Sequence, residues 1–205
     1  MSPRYRFLLC ATALSLLAAC GKSSSNPDKN IFQTALQGYY DTHPVCVAIP
    51  LTFPVELRSE GDAAAKQKLN PLVAAGLIAV TKVQKNEPTI SGKKQAADYL
   101  RYAPTAGQNA VRKGANSFLG GSDICFARRK IVNIESFTAP ADAAGLKVTR
   151  VTYAYELKDI APWATKPDIA SAFPQIGAML AKPADQATDG LIQTDSGWKQ
   201  ENETP

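Results

Sequence analysis

The first twenty residues constrain the fold most, because they decide how much of the chain is left to fold. Arg4 and Arg6 lie in a short start without any acidic residue, and an apolar run follows from Phe7 to Leu17. A run of about 11 residues is too short to cross a hydrocarbon core, which needs about 20, but it suits the core of a signal peptide. We therefore expect residues 1–19 to be removed. The remaining 186 residues suffice for one domain with a sizeable core or for two small ones.

The end of this apolar run carries a cleavage motif. The sequence Leu17-Ala18-Ala19-Cys20-Gly21 resembles the lipobox of bacterial lipoproteins. This resemblance implies that the Cys20 thiol receives a diacylglycerol, that cleavage occurs just before Cys20, and that the new N-terminus is acylated. Each buried methylene of an acyl chain contributes about 0.8 kcal/mol, so more than one chain makes the anchoring stable. A plain secretory signal with an unmodified Cys20 is the alternative.

The residues after Cys20 predict where the folded part would lie. In the enteric lipoprotein pattern an aspartate after the cysteine signals retention in the inner membrane, so Gly21 favours the outer membrane. Residues 20–29 are rich in Ser, Asn and Gly, a composition typical of a flexible tether. The resemblance therefore implies an envelope protein that is held to the outer membrane by its N-terminal lipid and faces the periplasm.

The remaining cysteines predict one covalent link. Cys10 leaves with the signal peptide and Cys20 takes the lipid, so Cys46 and Cys125 remain as an even pair in an oxidising compartment. We predict a Cys46–Cys125 disulfide, which closes a loop of about 80 residues and is worth about 4 kcal/mol on the chain-entropy model. A metal site is the competing use of two cysteines. It needs further ligands, and His43 is the only histidine, so we predict no metal site.

The charge of the mature chain is modest. Without residues 1–19 the chain has 21 basic and 18 acidic residues, a net charge of +3. Ten Lys and Arg residues lie in the stretch 82–130, against Glu87, Asp98 and Asp123. Such a stretch is typical of a solvated face, and contact with an anionic lipid, a glycan or an acidic partner is the alternative.

The N-terminal half of the mature chain reads as helices and extended segments. Apolar residues recur at helical spacing after Asp28 and again after Ser59, and β-branched residues dominate two of the segments between. Pro71 could divide the second helix, and Gly76 sits where a helix ends. The predicted elements are a helix over 30–41, an irregular extended segment over 45–57, a helix over 60–75, a strand over 77–83, a polar loop over 85–94 and a strand over 95–102.

Part of this half resembles a known module. The run Leu72-Val73-Ala74-Ala75-Gly76-Leu77-Ile78, with the strand, loop and strand that follow, is similar to a winged-helix module over residues 60–114. The resemblance implies that the loop between the strands is the wing. Winged helices often bind DNA, but a lipid-anchored domain outside the cytoplasm meets no chromosome. We therefore expect a scaffold or protein-contact role and no nucleic-acid partner.

The C-terminal half reads as an antiparallel sheet with one packed helix. Two alternating segments, 124–137 and 146–157, are predicted to pair, with Phe126, Val132 and Ile134 on one face of the first. A helix follows from Pro167 and should be kinked or split before Pro174, and a small hairpin covers 191–199. The fold class is thus predicted as α+β: a helical, winged-helix-like half over 30–115, joined by one disulfide to a sheet-plus-helix half over 124–200.

Several residues could suggest chemistry, but each has a plainer interpretation. His43 lies close in sequence to Asp41 and Cys46, yet catalytic triads are built by spatial contact, and an oxidised Cys46 cannot be a nucleophile. Ser91 and Ser196 each begin a Ser-x-x-Lys match in a predicted turn, without the other elements of penicillin-binding proteins.

Carboxylates and aromatic residues were the remaining candidates for a site. The acidic residues that could form a glycan-cleaving pair are Glu56, Glu60, Glu135 and Glu156, and we expect them to pair with basic residues instead. Three aromatic residues could line a binding surface: Tyr153, Tyr155 and Trp163. Their strand spacing is more typical of core residues. Phosphate-loop, dinucleotide and zinc-protease motifs do not occur in the sequence, so we expect no cofactor and no catalytic residues.

The sequence thus predicts a membrane-anchored envelope lipoprotein with a non-catalytic binding or structural role and an envelope protein or glycan as its partner. Two alternatives stay open. The first is a lipoprotein that inhibits a periplasmic hydrolase or confers immunity to it. The second is a hydrolase of envelope polymers.

Overall fold

Two antiparallel sheets and four helices make up residues 27–114 and 120–203, the part of the chain that the computed structural model describes. The helices are α1 (Lys29–Thr42), α2 (Ala63–Ala74), α3 (Pro167–Ala172) and α4 (Pro174–Ala181). The strands are β1 (Val45–Ile49), β2 (Val55–Arg58), β3 (Ile78–Pro88), β4 (Lys94–Pro104), β5 (Val111–Lys113), β6 (Ser122–Phe137), β7 (Ala141–Ala143), β8 (Leu146–Lys158), β9 (Ala184–Thr194) and β10 (Gly197–Gln200).

The larger sheet has seven strands and is built around β6 and β8. Its order is β1-β6-β8-β9-β10, with β5 added on β6 and β7 on β8. The smaller sheet has the order β2-β4-β3. Every pair in both sheets is antiparallel. The coarse prediction, an antiparallel sheet with helices and one disulfide, is therefore confirmed.

Helix α1 begins and faces the sheet as its sequence predicts. The Asp28 side chain accepts a hydrogen bond from the Asn30 amide at 2.8 Å, which satisfies one of the free N–H groups of the first turn. The apolar face of the helix buries Phe32 and Leu36 completely. Because the helix already starts at Lys29, the last residue of the predicted tether is helical.

The hairpin formed by β3 and β4 is longer than predicted. Residues 85–88 and 94 lie in its strands, so the prediction of a loop over 85–94 was wrong for these positions. Polar residues extend the strands because their side chains bond across the hairpin: the Tyr99 hydroxyl donates to Glu87, and Glu87 also pairs with Arg58. The turn itself spans 89–93.

Helix α2 is continuous although Pro71 lies inside it. Gly76 follows with φ +74°, the left-handed conformation expected after a helix. The order of α2, β3 and β4 reproduces the local elements of the winged-helix resemblance. The wider resemblance is not confirmed, because α1 packs on the larger sheet, against β6 and β10.

The extended segment predicted over 45–57 is divided between the two sheets. Strand β1 pairs with β6 in the larger sheet, and β2 pairs with β4 in the smaller one. Pro50 and Pro54 lie in the connection, where a missing N–H removes no ladder hydrogen bond. The chain therefore crosses from one sheet to the other within five residues, 50–54.

Two apolar cores lie along the larger sheet. The first core draws on both halves of the chain, and its central residues are Val47, Ile49, Leu57, Leu69, Leu72, Ile78, Tyr102, Ile124, Phe126, Ile169 and Ile176. The second core lies beneath α1 and comprises Phe32, Leu36, Tyr40, Ile131, Ile134, Val151, Tyr153, Leu191 and Trp198. The proposed division of the chain into 30–115 and 124–200 stays a prediction.

The C-terminal elements follow the prediction with two differences. Strands β6 and β8 pair, and Phe173 separates α3 from α4, as predicted. Strand β9 begins at Ala184, earlier than the predicted hairpin. In β6 the prediction of an inward Val132 was wrong: register irregularities between 131 and 133 and between 134 and 136 bury Ile131 and Ile134 and leave Val132 exposed.

Candidate functional site

An open groove lies between the C-terminal end of α1, strand β5 and the middle of β6. It has a volume of about 510 Å³. We call it the disulfide groove, because both cysteines of the bridge line it. Its lining includes Tyr40, His43, Arg112, Lys113, Arg129 and Asp189. Asp123, Gln200 and Asn202 also line it.

The predicted disulfide forms one wall of the groove. The Sγ atoms of Cys46 and Cys125 are bonded at 2.11 Å, and the two residues face each other directly in the β1–β6 register. Within residues 27–114 and 120–203, β1 is the outermost strand of the sheet order and pairs with β6 alone. The bridge therefore fastens the edge strand that carries the chain from α1 into the sheet, and the prediction of this pairing is confirmed.

At and beneath the floor of the groove lies a set of side chains that we call the tyrosine cluster. Tyr40, Arg129, Tyr153 and Asp189 are linked by hydrogen bonds, and the Tyr155 ring contacts Arg129. They come from α1, β6, β8 and β9. Tyr153 is completely buried and Tyr40 nearly so, whereas Arg129 and Asp189 are half-buried. The cluster thus joins the helix to three strands of the sheet, and Tyr40, Arg129 and Asp189 line the groove.

The hydroxyl groups of the cluster link its two opposite charges. The Tyr40 hydroxyl donates to Asp189 Oδ2 at 2.6 Å, and the Tyr153 hydroxyl lies 3.0 Å from the same oxygen and 2.8 Å from the Tyr40 hydroxyl. Arg129 Nη1 donates to both hydroxyl oxygens, at 2.9 Å and 3.1 Å. Each phenol therefore lies between a cation that donates to it and a carboxylate that accepts from it, an arrangement that strengthens both bonds.

Two aromatic rings hold the guanidinium plane of Arg129. Its Cζ atom lies 4.9 Å from the centroid of the Tyr40 ring and 4.4 Å from that of the Tyr155 ring. Contacts of a guanidinium with ring faces are attractive, more so away from water. They fix the orientation of Arg129 without neutralising its charge.

Burial and hydrogen bonding raise the pKa of two cluster residues, Tyr40 and Tyr153, and keep them protonated. Burial, together with the hydrogen bond to Asp189, raises the pKa of Tyr40 far above its ordinary value. Burial likewise raises the pKa of Tyr153 from 10.0 to about 12. Burial acts to lower the pKa of Arg129, but its interactions with Tyr40 and Tyr153 outweigh this effect and the pKa is raised. The phenols are therefore neutral and Arg129 is charged at physiological pH.

The raised pKa of Tyr153 predicts a loss of stability in alkali. The Tyr153 hydroxyl loses its proton near pH 10.0 in the unfolded chain and only near pH 12 in the folded chain. The stabilisation that results is therefore fully present below pH 10 and is lost as the pH rises from 10 to 12. We expect the free energy of unfolding to fall by on the order of 2 kcal/mol.

Denaturant titrations between pH 8 and pH 12 measure this loss. Tyr153→Phe should lower stability at neutral pH by about 1–3 kcal/mol, because Asp189 and Arg129 lose a partner, and should make the alkaline decline shallower. Tyr39→Phe is the matched control, since the Tyr39 hydroxyl takes no part in the cluster. An equally steep decline in Tyr153→Phe would contradict the assignment.

The other residues considered from the sequence are dispersed. His43 lines the groove, where its ring stacks on Tyr39 at 3.9 Å and its Nδ1 lies 2.8 Å from the Tyr39 carbonyl oxygen. Ser91 lies in the hairpin turn and Ser196 in the β9–β10 turn, both as predicted. Trp163 packs against the first core.

The acidic residues do not form a pair. The Glu156 carboxylate pairs with Lys158 at 2.8 Å, and the Glu135 carboxylate accepts from Gln186 Nε2 at 2.8 Å. Glu56 pairs with Lys85 on the face of the smaller sheet. Cys20 lies outside the described residues, so its predicted lipidation stays a prediction.

The sequence reading missed Arg129, Tyr40 and Asp189 as members of one site. Their positions are 60 or more residues apart, and it is the β6–β8 and β8–β9 pairings together with α1 that bring them together. One signal was present: Arg129 alternates with Ala127 and Ile131, which are buried, so a cation shares the inner face of the strand. Such a position requires partners, and the cluster supplies them.

No family model matches the chain, and neither a curated protein nor a solved structure is similar to it. Within residues 27–114 and 120–203, none of the helices combines the length and the apolar character needed to cross a membrane. The same residues contain no group of three or more His, Cys, Asp or Glu side chains that could hold a metal ion.

Proposed function

We propose that the protein is a membrane-anchored envelope lipoprotein whose folded part binds another envelope component at the disulfide groove. The single observation that carries this proposal is the Cys46–Cys125 disulfide. A disulfide is typical of proteins that fold in an oxidising compartment. With these two cysteines joined, Cys20 is the cysteine left over once the signal peptide is removed, as lipidation at this residue requires.

The site supports a binding role because its polar groups are held in place before any ligand arrives. Arg129 is fixed by two hydroxyl groups and two ring faces, and the disulfide fixes the opposite wall. Preorganised groups of this kind reduce the side-chain entropy that the protein loses when a ligand binds. Catalysis is not part of the proposal.

The winged-helix-like half supports a second contact with a protein partner. Strand β2 pairs only with residues 99–102 of β4, so the distal part of the β3–β4 hairpin extends beyond it. Ile90, in the turn, is fully exposed. The ion pairs Arg58–Glu87 and Lys85–Glu56 brace the hairpin against β2, which suits an arm that must keep its shape.

Metabolic labelling with palmitate tests the anchor. The native chain is expected to take up the label and to fractionate with the outer membrane, because Gly21 follows the lipidated cysteine. Cys20→Ser is the matched variant and should remain unlabelled. An unlabelled native chain found in the cytoplasm would overturn the proposal and would return nucleic acid to consideration as a partner.

Affinity capture from envelope extracts with the purified Cys20→Ser chain tests the binding role. Recovery of a specific envelope protein or glycan supports it. A captured hydrolase that loses activity would assign the inhibitor function instead. Turnover of peptidoglycan by the chain itself would assign the hydrolase function and contradict a non-catalytic role.

A further inference from the structure

We infer that the disulfide groove binds an anionic ligand, a small molecule or polymer unit that carries carboxylate or phosphate groups, with Arg129 as its floor contact and Arg112 and Lys113 as rim contacts. This inference rests on the proposed function, because it names the ligand class of the same groove.

Arg129 is the first reason. Its Nη1 atom is occupied by two tyrosine hydroxyls, whereas Nε and Nη2 donate to no acceptor among the described residues. In the same part of the chain, no carboxylate oxygen lies within 4.0 Å of this guanidinium. The Nε and Nη2 edge of an arginine matches the two oxygens of a carboxylate or phosphate. Arg129 therefore lines the groove with a donor edge that has no partner among the described residues.

The rim supplies the second reason. Arg112 and Lys113 are adjacent on β5 and are both exposed, and both line the groove. Arg112 shares the face of its register partner Asp123, which also lines the groove, whereas the side chain of Lys113, the next residue, points to the opposite face of the strand. Charges of one sign that converge on a cleft raise the local concentration of the opposite ion.

Two carboxylates also line the groove and must be weighed against these cations. Asp123 lies directly opposite Arg112 in the β5–β6 register. Asp189 accepts hydrogen bonds from Tyr40 and from Tyr153, so phenols already surround its charged oxygen. The three Arg and Lys residues of the lining outnumber its two Asp residues by one, which favours an anion.

The size of the groove limits the ligand. A volume of about 510 Å³ falls within the range of about 300–1,000 Å³ that is typical of small-molecule sites. The ligand is therefore a small acid or one acidic unit of a polymer, rather than the folded surface of a protein.

Titration calorimetry on the Cys20→Ser chain tests the inference, with tripolyphosphate, citrate and inorganic phosphate as probes at low ionic strength. We expect saturable binding of at least one probe, weakened as salt is added. Arg112→Gln with Lys113→Gln removes the rim charges without touching buried groups and should weaken binding about tenfold. Arg129→Lys keeps the positive charge at the floor but loses the planar guanidinium, which can bind two oxygens at once. This variant should bind the probes more weakly, and the rim substitutions should weaken its binding further.

The matched control is Lys94→Gln with Arg101→Gln. It removes the same two kinds of charge from the exposed hairpin and should change affinity less than about twofold. Equal weakening by the control and the rim variant would show a general charge effect and overturn the inference, as would the absence of saturable binding. Preference for tripolyphosphate or for citrate separates a phosphorylated ligand from a carboxylated one.

The two proposals can fail separately. If palmitate labels the native chain and no probe binds, the ligand class is wrong and the anchored protein stands. If probes bind the groove and the native chain is not labelled, the groove assignment stands and the anchor is wrong.

Discussion

Replacing both Cys46 and Cys125 by serine is expected to lower the free energy of unfolding by about 4 kcal/mol, a large part of the stability of a domain of this size. The two cysteines are 79 positions apart, so the bridge restricts a long loop of the unfolded chain. In the folded chain it also ties β1, a strand of five residues, to β6, the strand with which it pairs. Both effects are lost together in the variant.

Guanidinium titrations of the oxidised protein, the reduced protein and the variant measure this effect. Reductant should lower the midpoint of the native chain toward that of the variant and should leave the variant unchanged. A difference below about 1 kcal/mol between the native and variant chains would mean that the bridge adds little to the fold. Because both cysteines line the disulfide groove, the same variant should also bind the anionic probes more weakly.

Replacing Leu36 by alanine is expected to cost about 2–5 kcal/mol. Leu36 is completely buried beneath α1 in the second core, so the change leaves a cavity where the helix meets the sheet. The helix keeps its other attachments to the sheet, the Phe32 ring packed on Phe137 and the Gln37 side chain, whose Oε1 accepts from the Ile131 amide at 2.8 Å. Loosening α1 at Leu36 should nevertheless disturb Tyr40, one turn further along the same helix.

Leu146→Ala is the matched control, because this leucine is 46% exposed at the start of β8. We expect it to change stability by less than about 1 kcal/mol. Thermal and denaturant unfolding of the two variants gives the comparison. Similar losses in both would show that α1 does not depend on the second core for its attachment.

Local patterns in the sequence were enough to predict the elements whose faces differ clearly in polarity. Helix α1 has an apolar stripe and an aspartate cap, and β6 with β8 have long runs of alternating or β-branched residues. The disulfide was predicted because Cys46 and Cys125 remain once Cys10 and Cys20 are assigned to the signal peptide and the lipid. In each of these cases the determining information lies within one segment or in the identity of two residues.

The rest depends on contacts between distant segments. The outer half of the β3–β4 hairpin is polar on both faces, and its strands exist because of cross-strand bonds such as that between Tyr99 and Glu87. The transfer of β1 to the larger sheet depends on its pairing with β6, 79 positions away at Cys125. The groove requires α1, β5 and β6 to meet, which no periodicity in a single segment indicates.

The direction in which α1 runs along β6 determines where the groove lies relative to the start of the helix. Lys29 Nζ donates to the Glu135 carbonyl oxygen, whereas Gln37, two turns later, donates to the Arg129 carbonyl oxygen. At 1.5 Å per residue, Tyr40 lies about 16 Å along the helix axis from the point where the chain enters at Lys29. The groove, which Tyr40 lines, therefore lies near the end of the helix that is remote from Lys29.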